Sequence, residues 1–254
     1  MRQNNKNLKK EKFLKLDKES IRNNMEIGGL QKTTLIDYPG EIACIVFLAG
    51  CNFRCPFCYS RELVLNDPNL FKIKEEDFFL FLEKRKGQLD ACVVCGGEPT
   101  IHKEIFDFCK RIKELGYKVK LDTNGSNPDV VEKLLKANLI DYIAMDVKSP
   151  FSKYKKAIGV SAPVSRIKKS INIIKTLCPD YEFRTTIVPE IHKVKDIKQI
   201  VKQIAPAKRF FIQNFRNDKE LLSPHFNQVV PFDEFEIQRV ISEIKHNFEI
   251  CYLR

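Results

Sequence analysis

From Ile42 onward the chain alternates short β-type runs with stretches of helical periodicity, and this alternation restricts the fold more than any other feature of the sequence. "IACIVFL" (42–48) reads as a buried strand; after a cysteine-bearing loop, "IKEEDFFLFLEKRKG" is helical and stops at Gly87. "ACVVC" is the second strand, followed by a helix with Ile105, Phe108, Cys109, Ile112 and Leu115 on one face and Gly116 as its stop. "YKVKLDT" and "NPDVVEKLLKAN" repeat the pattern, the latter with Asn127 as the expected N-cap and Pro128 at the first helical position. "YIAMDVK", "YEFRTTIV", a helix near residues 194–204, "RFFIQNF" and the helix "FDEFEIQRVISEIKH" bring the count to six βα units. The result is an α/β chain with a parallel sheet covered by helices through right-handed crossovers, closing as a doubly wound sheet or a barrel. In both closures ligands bind at the C-terminal ends of the strands.

The unusual polar residues fall at those ends. Cys51 to Cys58 follow the first strand, Gly96-Gly97-Glu98 the second, Asp122-Thr123-Asn124 the third and Asp146 the fourth, so one mouth should collect them. Strand-end carboxylates sharing a mouth suggest a polar or ionic ligand. In "GGEPT" the glycines leave room for a close backbone approach to a ligand, and Glu98 offers an acceptor for a cationic group.

Three cysteines at C-x3-C-x2-C, with no fourth nearby, form a ligand set with a deficit. Structural zinc wants four ligands and a ferredoxin-type cluster four thiolates. The spacing suits a cubane cluster with one iron left open; His102 or Cys95 would complete a zinc site instead. With nine cysteines and a charged N-terminus in place of an apolar leader, the expectation is a reduced, cytoplasmic protein without a disulfide framework. No apolar run is long enough to span a bilayer. Of the net charge of +11, the eight Lys/Arg and three Asp/Glu of residues 1–24 supply +5. This segment reads as a basic, disordered tail; no nucleic-acid partner is expected, since no binding motif follows its lysines.

Cys51, Cys55 and Cys58, with Phe57 before the last cysteine and "GGEPT" after the next strand, resemble the signature of the radical S-adenosylmethionine (SAM) superfamily. The resemblance implies a partial (β/α)6 barrel of radical SAM type over residues 25–254. It also implies one 4Fe-4S cluster on Cys51, Cys55 and Cys58, with SAM as the missing ligand. "LDTNG", "AMDVK" and "FRTTIVP" are similar to segments of glycyl-radical-enzyme activases. By that resemblance Phe57, Tyr59, Gly96, Gly97, Glu98, Asp122, Thr123, Asn124, Asp146, Lys148 and Arg184 contact the cofactor. Arg184 would meet the SAM carboxylate, and a monovalent cation would sit near Asp122, Thr123 and Asp146. Residues 27–58 resemble most the anaerobic ribonucleoside-triphosphate reductase activating proteins, departing from them at Tyr59-Ser60, where a His-Asn pair is usual.

The implied function is reductive cleavage of SAM to a 5'-deoxyadenosyl radical that generates a glycyl radical on anaerobic ribonucleotide reductase. A one-electron donor such as flavodoxin or ferredoxin would supply the cluster. The alternative is a radical SAM enzyme acting on a small molecule or peptide, in nucleoside or cofactor biosynthesis; a third reading is a zinc-binding module without catalysis. No side chain is assigned as general acid or base. Cys92 and Cys95 lie three apart on a strand and must face opposite ways, with Cys95 toward the mouth. Cys44, Cys109, Cys178 and Cys251 read as packing, and His192, His225 and His246 as belonging to no constellation.

Overall fold

Eight strands form one sheet in the order of the chain, as described over residues 25–254 of a computed structural model; the tail expected at 1–24 lies outside the described residues. The strands are β1 Ile27–Thr34, β2 Ala43–Leu48, β3 Ala91–Gly96, β4 Lys118–Thr123, β5 Tyr142–Asp146, β6 Asp180–Ile187, β7 Ala207–Asn214 and β8 Phe248–Leu253. The helices are α1 Arg61–Leu65, α2 Glu75–Lys84, α3 Ile105–Glu114, α4 Pro128–Lys136, α5 Tyr154–Ile158, α6 Val164–Leu177, α7 Asp196–Ile204 and α8 Glu234–Ile244. β1 pairs antiparallel with β2, and every later pair is parallel. Each strand lies beside its predecessor, so the sheet has no switch point and takes the barrel course; among the described residues β8 does not pair with β1, and the barrel stays open. β2 to β7 are the six strands expected from the sequence.

Period-two alternation sorts the side chains. Cys44, Val46 and Leu48 of β2, Cys92 and Val94 of β3, and Ile143 and Met145 of β5 pack with the helices in the large core. The other parity, Ala43, Ile45, Ala91, Val93 and Tyr142, forms a second apolar group with Tyr38, against which Phe47 and Cys95 pack. Cys92 and Cys95 therefore do face opposite sides of β3. On the helical side Phe78, Phe79 and Phe108 meet at centroid separations of 5.2–5.4 Å and join α2 to α3; each such pair adds roughly 0.5–1.5 kcal/mol beyond its area burial.

Besides the short helices α1 and α5, three elements were not legible in the pattern. β1 carries two glycines after Ile27 and has an exposed polar stretch, because an edge strand is paired on one side only. β8 follows α8 after a single turn of 3-10 helix, Lys245–Asn247, and extends the other edge. The 14-residue α6 buries Ile167, Ile171 and Ile174 at helical spacing among exposed lysines. Asn127 does stand at the N-cap of α4, but its side chain makes no capping bond. Its Nδ2 donates to the backbone O and the Oγ1 of Thr100, both at 3.1 Å, so it ties two strand-end loops together.

Candidate active site

The loop after β2 carries Cys51, Cys55 and Cys58 and is held from three sides. Gly50, at φ +89°, donates to Leu63 O of α1 at 2.7 Å. Arg54 N donates to Ile158 O at 2.8 Å, at the end of α5, where Gly159 (φ +69°) leaves the space that Arg54 O occupies. The segment after β7 crosses to the loop as well: Leu222 N donates to Cys58 O at 2.8 Å and Ser223 N to Pro56 O at 2.9 Å. Inside the loop Cys58 N donates to Cys55 O at 3.0 Å and Phe53 N to Cys51 Sγ at 3.3 Å.

Cys55 is buried, whereas Cys51 and Cys58 are partly exposed, and all nine cysteines are free thiols. Burial pushes the Cys51 thiol up to about 11 and the Cys55 thiol up to about 12. Such thiols ionise when a metal takes them as ligands. Among the described residues no three His, Cys, Asp or Glu side chains converge on a single ion. A polynuclear group suits the three thiols better, because each can bind a different metal atom. Among the described residues, neither His102 nor Cys95 joins the three thiols in a group that converges on a single ion.

Gly96 and Gly97 are needed for backbone packing. A Cβ on Gly96 would lie 2.2 Å from Leu48 O, and one on Gly97 would lie 1.9 Å from Gly50 O. The space is taken by the backbone at the end of β2 and the start of the cysteine loop, to which Gly97 N and Glu98 N donate at Leu48 O and Gly50 O, each at 2.9 Å. The glycine pair brings the end of β3 against the end of β2 and the cysteine loop.

Glu98 is fully buried, and burial raises its carboxyl above the usual carboxylate range. Oε1 accepts from Thr100 N (3.1 Å), Thr100 Oγ1 (2.5 Å) and Thr123 Oγ1 (2.7 Å), and Oε2 accepts from Asn124 N (2.6 Å). Its bonds brace the end of β3 against the end of β4. Asn124 continues the brace: Nδ2 donates to Asn52 Oδ1 at 2.9 Å, while Asn52 Nδ2 donates to Ser126 Oγ at 2.8 Å. Asn52 and Ser126 were missed in the sequence, where an Asn in a cysteine loop and a Ser after Asn-Gly look like turn residues.

A charged network lines the neighbouring mouth. Arg184 of β6 donates through Nη1 to Asp122 Oδ2 and through Nε to Asp146 Oδ1, both at 2.8 Å. Lys148 Nζ donates to Asp146 Oδ2 at 2.9 Å. These cations hold both carboxyls below the usual carboxylate range against the opposing effect of burial. Lys120 approaches Asp122 Oδ1 to 3.1 Å; the oxygen nevertheless has no directed hydrogen bond. Phe57 is buried, Tyr59 is 64% exposed, and the Lys219 ammonium lies 5.6 Å from the Tyr59 ring centroid. His192, set aside in the sequence, is buried behind the mouth: its Nε2 lies 3.0 Å from Lys148 O, and Nδ1 accepts from Val188 N at 3.0 Å. Of the expected residues, Thr123, Asn124 and Glu98 meet in one hydrogen-bonded group, and Asp122, Asp146, Lys148 and Arg184 in another.

The sequence profile of the radical SAM superfamily matches residues 45–204. A protein of Methanocaldococcus jannaschii, provisionally named a glycyl-radical enzyme activating enzyme, is 34% identical over 222 residues, covering 84% of this chain and 89% of its own length. The 7-carboxy-7-deazaguanine synthase of Thermococcus kodakarensis is 26% identical over 66% of this chain and 73% of that enzyme. Among solved structures, Streptococcus suis SuiB superposes with a TM-score of 0.61 at 18% identity over 81% of this chain, which spans 47% of SuiB. That likeness concerns the fold.

Proposed function

The chain belongs to the radical SAM superfamily, and from that membership we propose that it activates a glycyl radical enzyme, in the first instance an anaerobic ribonucleoside-triphosphate reductase. The observation that carries the activase reading is the 34% identity to the M. jannaschii protein, which extends over nearly the whole of both chains. The choice of reductase is supported by the resemblance of residues 27–58.

Membership implies a 4Fe-4S cluster and SAM, and the residues present fit both. Cys51, Cys55 and Cys58 would hold the cluster: they share one braced loop, and no fourth cysteine stands in that loop. The cationic Lys148 and Arg184, beside the hydrogen-bond-free Asp122 Oδ1, suit the charged methionine end of SAM. When bound, the cluster would supply one electron for reductive cleavage of SAM to methionine and a 5'-deoxyadenosyl radical, the species that would take a hydrogen atom from a glycine Cα of the partner.

The protein positions and shields. Glu98, Asn124 and Asn52 lock the cysteine loop to β3 and β4. Arg184 and Lys148 present positive charge to a carboxylate, and Phe57 keeps water from the loop's inner side. Residues 25–254 act as one radical SAM domain in this proposal. Electrons come from a flavodoxin- or ferredoxin-type donor, and the site of action is the cytoplasm, in keeping with nine free thiols. No helix among the described residues is long and apolar enough to cross a membrane.

The test mixes anaerobically reconstituted, reduced protein with SAM and the host's anaerobic reductase, recording the electron paramagnetic resonance spectrum and 5'-deoxyadenosine together. A SAM-dependent glycyl radical is the expected result, and Cys51→Ala, Cys55→Ala and Cys58→Ala should each abolish both signals. SAM cleavage retained by any of the three variants would overturn the site. Deoxyadenosine without the glycyl radical would favour the second reading, a small-molecule or peptide substrate, which the similarity to 7-carboxy-7-deazaguanine synthase supports.

A further inference from the structure

The monovalent cation expected near Asp122, Thr123 and Asp146 does not fit the residues present. Each oxygen of the two carboxylates faces a side-chain nitrogen: Asp122 Oδ2 and Asp146 Oδ1 face Arg184 at 2.8 Å, Asp146 Oδ2 faces Lys148 at 2.9 Å and Asp122 Oδ1 faces Lys120 at 3.1 Å. The Thr123 hydroxyl is not available either. It donates to Glu98 Oε1 at 2.7 Å and accepts from Gly125 N at 3.1 Å. Three fixed cations thus surround two carboxylates, and the next acid below, Glu182, is matched by Arg254 at 3.2 Å and by the Tyr142 hydroxyl at 2.8 Å. No excess negative charge remains to draw in an alkali ion, and an added cation would meet like charge on several sides.

Lys120 is the unusual member. It stands two residues before Asp122 on β4 and so projects from the same side of the sheet. It is only 2% exposed. Its ammonium is held from the other side by Asp37 O at 2.5 Å and lies 5.7 Å from the centroid of the Tyr142 ring. The loop that supplies Asp37 O is itself anchored, by the bond from Thr34 Oγ1 to Asp37 and by Tyr38 against Tyr142 at 5.6 Å. The Lys120 side chain is thus fixed in place between a backbone carbonyl and a carboxylate.

We propose that Lys120 serves as a tethered cation in place of the monovalent metal ion, so that this chain binds SAM without requiring sodium or potassium. The proposal rests on the SAM site proposed above, and Lys120 acts in it as a positioning residue, through Asp122.

The test measures SAM affinity of the reconstituted holoprotein by equilibrium dialysis in sodium, potassium or choline chloride at one ionic strength, with thallium NMR as a direct probe for a monovalent-ion site. The wild type should bind SAM within about twofold in all three salts and show no specific thallous-ion binding. Lys120→Met should lose at least about tenfold in choline, regain affinity with potassium or sodium, and bind thallous ion. Lys120→Gln serves if the Met variant folds poorly. Tenfold weaker SAM binding by the wild type in choline, or specific thallous-ion binding to it, would overturn the proposal. Absence of SAM binding in every salt would instead remove the proposed function, while the thallium measurement still decides whether Lys120 fills an ion site.

Discussion

Glu98 and His192 both belong to the site's support, and both carry protonation states set by burial. For His192, burial depresses the imidazolium to about 4; one ring nitrogen lies 3.0 Å from Lys148 O and the other accepts from Val188 N at 3.0 Å. The unfolded chain binds this proton near the ordinary histidine value of about 6.5, so between about pH 6.5 and 4 the unfolded state holds more protons and stability rises with pH. Lowering the pH across that window should cost about 2–4 kcal/mol through this one residue. Urea midpoints at pH 7, 6 and 5 for the wild type and His192→Asn check it: the variant should show a shallower slope, and identical slopes would refute the assignment. The residue types at the mouth were legible in the sequence, as Cys51, Cys55, Cys58, Glu98, Asp122, Asp146 and Arg184. Their partners were not. That Glu98 spends its acceptors on Thr100, Thr123 and Asn124 depends on the approach of β3 to β4, which spacing along the chain does not encode.

Among the elements, the short α5 supports the cysteine loop through its capping glycine. Gly159 is left-handed, and a Cβ there would lie 2.0 Å from Arg54 O; Gly116, also left-handed, has nothing within 4 Å. Gly159→Ala should therefore combine backbone strain with overpacking, for a loss of roughly 2–4 kcal/mol, and should reduce the iron bound per chain after reconstitution. Gly116→Ala should cost only about 1 kcal/mol with full iron content. Urea denaturation and iron assay separate the two; equal behaviour would show that α5 does not carry the loop. The six parallel strands were legible because buried β-branched runs bounded by glycine stops have few other solutions. Edge strands β1 and β8, paired on one side and partly exposed, carry little of that signal.

At the scale of the whole molecule, the open barrel is spanned at its mouth by the segment after β7, which returns to the cysteine loop at the far side of the sheet. Leu221 anchors it at 1% exposure, and the Arg61–Glu220 pair at 3.0 Å and the His225–Glu190 contact at 2.8 Å lie on its exposed side. Exposed ion pairs add little, so the buried leucine should dominate. Leu221→Ala should cost about 2–4 kcal/mol and speed hydrogen exchange at the Leu222 and Ser223 amides, which donate to the cysteine loop. Unchanged exchange there would show that the span is held by something else. The sequence by itself determined the fold class, the cysteine triad and the gathering of polar residues at the strand ends, because hydrophobic period and ligand spacing are local properties of the chain. Only the tertiary structure decided that the sheet runs in barrel order and stays open, that the glycine pair admits the backbone of Leu48 and Gly50, and that Lys120 stands beside Asp122 with Asp37 behind it. Each of these depends on segments far apart in the chain occupying the same space.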